Sequence, residues 1–200
     1  MRNLALLPTI VALSIALVTA CAVDAGVPTP TVSSAADATQ EGDPLEPLVD
    51  LIAQRLRTAD AVSSATFGTP SPIDDPAREK DELDAAAAMA SGQGLDPNVT
   101  RKIFSDQIEA NKVIQYGLYA RWTAHPDQAP KTKADLTTIR SQLNTITVDL
   151  IRDLASTKAA RSDASCTTQL RSAERSVSRT YNFDPLHVEA FDRALISVCT

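Results

Sequence analysis

Leu45-Glu46-Pro47-Leu48-Val49-Asp50-Leu51-Ile52-Ala53-Gln54-Arg55-Leu56 is the stretch whose reading decides the fold. Leu45, Leu48, Val49, Ile52 and Leu56 recur at i, i+3, i+4, i+7 and i+11. That is the period of one face of an α-helix, not the alternation of a strand. Arg55 follows Leu51 and Ile52 by four and three residues, so a guanidinium borders the apolar stripe.

The same period returns downstream. A break at Gly68–Pro72 separates the first helix from a second, for which Asp75-Pro76 supplies an N-cap and a proline at the first helical position. That helix runs through Ala85–Ala90 and stops at Gly92–Gly94. Asp96-Pro97 repeats the start signal for a long helix with Ile103, Phe104, Ile108, Ile114 and Leu118 near one face, ending about Trp122. His125–Lys133 holds two prolines and reads as a loop. Asp135 caps the next helix, carried by Leu136, Ile139, Leu143, Ile146, Leu150 and Leu154. Two shorter helices follow at Cys166–Arg179 and Pro185–Val198. No segment reads as a strand. The expectation is an all-α fold, a single bundle of about six helices.

Composition agrees. Of 200 residues 44% are hydrophobic but only 4% aromatic, so the core must come from Leu, Ile, Val and Ala. The net charge of −6, without a basic tract, argues against nucleic acid, whose phosphates need clustered Lys and Arg.

The N-terminus reads as a targeting segment. Arg2 precedes the apolar run Leu4–Ala20, too short and too early for a membrane span, so residues 1–20 are expected to be a signal peptide. Val18-Thr19-Ala20-Cys21 resembles the lipobox of bacterial lipoproteins, which would make Cys21 a lipidation site. Ordinary cleavage after Ala25 is the competing reading. Either implies export, as an outer-face membrane lipoprotein or a secreted protein. Residues 22–44 are small and polar and read as a disordered tether, leaving 45–200 as the folded domain. Outside the signal, Cys166 and Cys199 are the remaining pair. An oxidising compartment lets them close a disulfide, with two buried thiols as the alternative.

The residues able to carry chemistry are polar groups at core spacing. Arg140 has Leu136 at i−4 and Leu143 at i+3. Asp75, Arg78 and Glu79 open the second helix. Gln107, Asn111 and Gln115 form an amide stripe at i, i+4 and i+8. Each alone has an ordinary reading: snorkelling or an ion pair for the arginines, dipole compensation for the acids, a solvated face for the amides. Together they suggest a pocket for a small molecule with more than one carboxylate. His125 and His187 have no partner at metal-ligand spacing, so no metal site is expected.

In order and spacing these pieces resemble the exported, all-helical chorismate mutases of actinobacteria, the secreted gamma-type class with a type II-like bundle. The resemblance runs from about Leu48 to Cys199. It is carried by Leu48-Val49-Asp50 with Gln54-Arg55-Leu56, Pro72-Ile73-Asp74-Asp75 with Arg78, and Asp96-Pro97 leading to Thr100-Arg101 and Phe104-Ser105-Asp106-Gln107-Ile108. Asp135-Leu136 with Arg140-Ser141, and the Cys166/Cys199 pair, complete it.

The resemblance implies an isomerase that rearranges chorismate to prephenate without cofactor or metal. It implies that Arg55 and Arg140 hold substrate carboxylates, with Arg78 a further substrate-binding arginine and Asp75 beside it. It places Glu79 at the ring hydroxyl, Asn111 near a carboxylate and Gln115 facing the ether oxygen of the breaking bond. One position departs from the pattern. The family puts a lysine between the first two helices; this chain has Thr66, and no lysine between Arg55 and Arg78. Lys112 and Lys80 are the candidate replacement cations. The alternative is a weak or inactive mutase-like lipoprotein that binds a small dicarboxylate or a partner. The sequence does not decide the oligomeric state and leaves a homodimer open, with a lipid anchor as the only expected membrane contact.

Overall fold

The structure is a computed structural model that describes residues 43–200; the leader, Cys21 and most of the tether lie outside the described residues. Helix α1 (Glu46–Thr66) is the central element. Its stripe of Leu45, Leu48, Val49, Ile52 and Leu56 is buried as the period requires, and it packs against α3, α4, α6 and α7. Each such aliphatic side chain removed from water contributes about 1.5–3 kcal/mol.

Around it stand α2 (Pro76–Gly92), α3 (Pro97–Ala124), α4 (Leu136–Ser156), a single turn α5 (Lys158–Arg161), α6 (Cys166–Thr180) and α7 (Pro185–Leu195). No strand occurs among the described residues. The helix starts are built as the sequence predicts. Asp75 accepts from Arg78 N at 3.1 Å, Asp96 from Asn98 N at 2.7 Å, and Asp135 from Thr138 N at 3.0 Å. Each cap satisfies amides that have no partner within the helix. Between α2 and α3 the chain reverses through Gly94, whose φ of 69° only glycine adopts freely. Leu95 N reaches Ala90 O at 3.1 Å and Gly94 N reaches Ser91 O at 3.3 Å, the paired bonds of a Schellman stop.

Two features differ from the sequence reading. The turn α5 was not expected, because four residues carry no helical period. It positions Arg161, whose buried guanidinium donates to Leu154 O and Val198 O, both at 3.2 Å. Burial lowers its pKa. Helix α7 ends at Leu195 rather than Val198, because the last residues turn back to the start of α6. There Cys166 and Cys199 form the disulfide, with Cα atoms 5.9 Å apart, and Thr200 N reaches Arg161 O at 3.0 Å.

Helices α3 and α7 approach closely at Gly117, where an added Cβ would lie 2.7 Å from both terminal carbons of Leu186. That contact anchors the far end of α3. Its middle, with α1, α2 and α4, is left to line a cavity.

Candidate active site

The cavity has a volume of about 380 Å³, within the range of small-molecule sites. Its walls follow helical spacing. Arg55, Thr58, Val62 and Thr66 come from α1, and Asp75, Arg78, Glu79 and Glu82 from the start of α2. Ile108, Asn111, Lys112 and Gln115 come from α3, and Leu136, Ile139, Arg140 and Leu143 from α4. On α3 and α4 the offsets are 0, 3, 4 and 7, the stripe that elsewhere builds the core. Here the four stripes leave a space between them, and polar and apolar residues share the positions facing it. Ser71, Pro72 and Ile73 close one end.

The three arginines read as substrate-binding all line this cavity, but they are not equivalent. Arg55 is 3% exposed, and its guanidinium lies 5.5 Å from the Phe104 ring centre. Burial lowers its pKa to about 10, so it remains charged at neutral pH. Its Nη2 donates to Glu82, and its Nε is buried without a partner. Arg78 and Arg140 are exposed at the mouth. Neither guanidinium has a hydrogen-bond or ion-pair partner among the described residues. The expectation of arginines buried in apolar stripes therefore holds for Arg55 alone. Arg140 does lie between Leu136 and Leu143, but all three line the cavity rather than the core.

The amides behave unequally as well. Gln115 is buried and donates from Nε2 to Asn111 Oδ1 at 2.8 Å, which fixes its orientation and leaves one N–H and its carbonyl for the cavity. Gln107 is buried with neither amide atom partnered, and it does not line the cavity. The stripe of three is thus a pair that serves the site and one residue that does not.

Of the two candidate cations, only Lys112 reaches the site. Its side chain is 12% exposed, with the ammonium 2.9 Å from Glu79, 2.9 Å from Glu109 and 3.1 Å from Asp74. Burial opposes its charge, yet those carboxylates outweigh burial and raise its pKa. Lys80 is 73% exposed, pairs with Asp84 at 2.5 Å and lies off the cavity. Asp74 also accepts from the Tyr116 hydroxyl. Tyr116 is itself a surface residue, 51% exposed.

Thr66 lines the cavity but offers it no donor. Its hydroxyl donates to Val62 O at 2.7 Å and stands 2.7 Å from the Tyr119 hydroxyl. With its one proton given to Val62, Thr66 accepts from Tyr119. Asp75 and Glu79 are also partly committed: Asp75 caps α2, and Glu79 accepts from Asp75 N at 3.1 Å as well as from Lys112. Glu82 is the charged pocket residue the sequence reading missed, although it lies four residues after Arg78 on the same helical face.

Residues 46–116 match the family model described as chorismate mutase type II. The chain is 33% identical to the secreted chorismate mutase of Mycolicibacterium smegmatis over 175 residues, covering 88% of this chain and 94% of that protein. This chain belongs to the secreted chorismate mutase family. It is also 32% identical to the secreted chorismate mutase of Mycobacterium tuberculosis, over 78% of each chain. Among solved structures it is similar to the chorismate mutase from Burkholderia phymatum, with 37% identity and a TM-score of 0.75. That likeness covers 79% of this chain and 97% of the other. The all-α bundle expected from the sequence is the fold of this family.

Proposed function

We propose that this chain catalyses the rearrangement of chorismate to prephenate outside the cytosol. The observation that carries the proposal is three guanidinium groups from three helices lining one cavity that also holds a buried amide and an ammonium. The reaction breaks an ether C–O bond and forms a C–C bond within one molecule. It needs no nucleophile, metal or cofactor. The catalyst must hold a dicarboxylate in its compact conformer and stabilise charge growing on the ether oxygen.

Arg78 and Arg140 together receive one carboxylate at the mouth, and Arg55 receives the other at depth. Gln115, preorganised by Asn111, donates its remaining N–H to the ether oxygen. Lys112, three residues earlier on α3, is the one ammonium among the lining residues. Its pairing with Glu79, Glu109 and Asp74 leaves to Gln115 the charge stabilisation that the family draws from a lysine at the position of Thr66. Glu79 anchors Lys112 and meets the ring hydroxyl.

The test is turnover of chorismate by the purified full chain, followed by ultraviolet loss with product identification. Prephenate is expected. A folded protein that forms none rejects the mutase reading, and pyruvate in its place indicates elimination instead.

Export rests on the leader read at residues 1–20 and on relatives named as secreted. Lipidation of Cys21 is the finer reading, and palmitate labelling in a bacterial host tests it. A labelled, membrane-bound product supports the anchor; an unlabelled product cleaved near Ala25 rejects it.

A further inference from the structure

The deepest cation in the cavity is already occupied. Arg55 Nη2 donates to Glu82, and the two side chains differ sharply in exposure, 4% for Arg55 and 37% for Glu82. The cation is enclosed, and the anion stands on the open side. Among the carboxylates of the lining, Asp75 is committed to the cap of α2 and Glu79 to Lys112. Only Glu82 is spent on an arginine of the substrate-binding type. Arg78 and Arg140 line the same cavity without an ion-pair partner among the described residues.

A ligand with two carboxylates therefore meets two free guanidinium groups and one that is already paired through Nη2. It gains the Arg55 Nη2 contact only by taking the place of Glu82. Withdrawing Glu82 with nothing in its place strands a buried charge, which is strongly unfavourable. Exchanging one carboxylate for another keeps the charge-assisted hydrogen bonds of Arg55 and adds a contact for its unpartnered Nε.

We propose that Glu82 is a carboxylate gate on Arg55: it competes with the ligand's carboxylate and sets the affinity of the site for dicarboxylates. The inference rests on the mutase reading only for the identity of the natural ligand. Glu82 acts through Arg55, so it is a specificity-determining residue rather than a catalytic one. Apparent affinity equals the intrinsic affinity reduced by the fraction of molecules with Arg55 open. Replacing Glu82 by Gln keeps the shape and a carbonyl acceptor but removes the competing charge.

The test is calorimetric titration with isophthalate, an unreactive ring dicarboxylate, into the purified full chain and its Glu82→Gln variant, with chorismate kinetics in parallel. The expected result is about tenfold tighter isophthalate binding in the variant. For chorismate, KM should fall by a larger factor than kcat changes. Glu82→Ala should shift binding the same way, with circular dichroism checking each fold. Tighter binding without chorismate turnover in any protein would uphold the gate and reject the mutase reading. Turnover in the wild type with unchanged or weaker isophthalate binding in both variants would overturn the gate. Failure of isophthalate to bind any of the proteins would overturn it as well.

Discussion

Thr66→Lys should raise chorismate turnover, and the structure gives the size of the effect. In the wild type the Thr66 hydroxyl is consumed by Val62 O and Tyr119, each at 2.7 Å, so it gives the ether oxygen nothing. A lysine at this position projects from the same helical face into the cavity. A full charge about 4 Å from a partner interacts by about 4 kcal/mol at an effective dielectric near 20. If about half a charge develops on the oxygen, about 2 kcal/mol remains, or roughly 30-fold in rate. Direct hydrogen bonding extends that toward the 100- to 1000-fold typical of one preorganised donor. The cost falls on Tyr119, which loses its hydroxyl partner, about 1 kcal/mol of stability. Packing of Phe67 against Tyr119 and Trp122, at centroid distances of 5.1 and 5.2 Å, stays in place. The assay is chorismate loss by ultraviolet absorbance, with kcat and KM resolved. Thr66→Met is the neutral control of similar length. A folded Thr66→Lys protein with no more activity than wild type or Thr66→Met would refute the reasoning. It would mean that Gln115 already supplies all the charge stabilisation the site can use.

Three further outcomes are expected. Arg140→Ala should lower kcat/KM by at least about 100-fold through loss of a two-bonded carboxylate contact, with the far-ultraviolet dichroism unchanged; wild-type turnover would remove Arg140 from the site. Reducing Cys166–Cys199, which are 33 residues apart in sequence, should cost about 4 kcal/mol by the chain-entropy relation, and a melting curve unchanged by reductant would contradict this. His187 places one ring nitrogen 2.6 Å from Asp184 and the other 3.1 Å from Asp60; the Asp60 contact leads the causes that raise its pKa, while burial opposes the rise. A raised folded-state pKa stabilises fully below the unfolded value near 6.5, and that contribution is lost as pH climbs through the folded value. Denaturant midpoints should therefore fall with rising pH above about 6.5, and the fall should be smaller in His187→Asn. An equal slope in that variant would assign the pH dependence elsewhere.

Much of this protein is local in origin and therefore readable along the chain. The periods of α1, α3 and α4, the Asp caps at 75, 96 and 135, and the stop through Gly94 each depend on residues within about one turn of one another. The positions of Arg55, Arg78, Arg140 and Gln115 were legible because polar residues at core spacing stand out on a stripe. Their states were not. Helical spacing says which residues share a face, but not how far that face is covered or what stands opposite. Arg55 finds its carboxylate 27 residues away, Lys112 meets Glu79 across 33, and Thr66 meets Tyr119 across 53. Those pairings follow from how α1, α2 and α3 are rotated against one another, which the whole set of packed stripes decides together. Thus Lys112 points inward while Lys80 does not, Thr66 is turned to its own helix and Tyr119, and Glu82 sits on Arg55. The sequence by itself determined the helices, their ends and the charged residues available to a pocket. Only the tertiary structure decided which of those charges are buried, which are already paired and which are left for a ligand, because burial and pairing depend on surfaces brought together from distant parts of the chain.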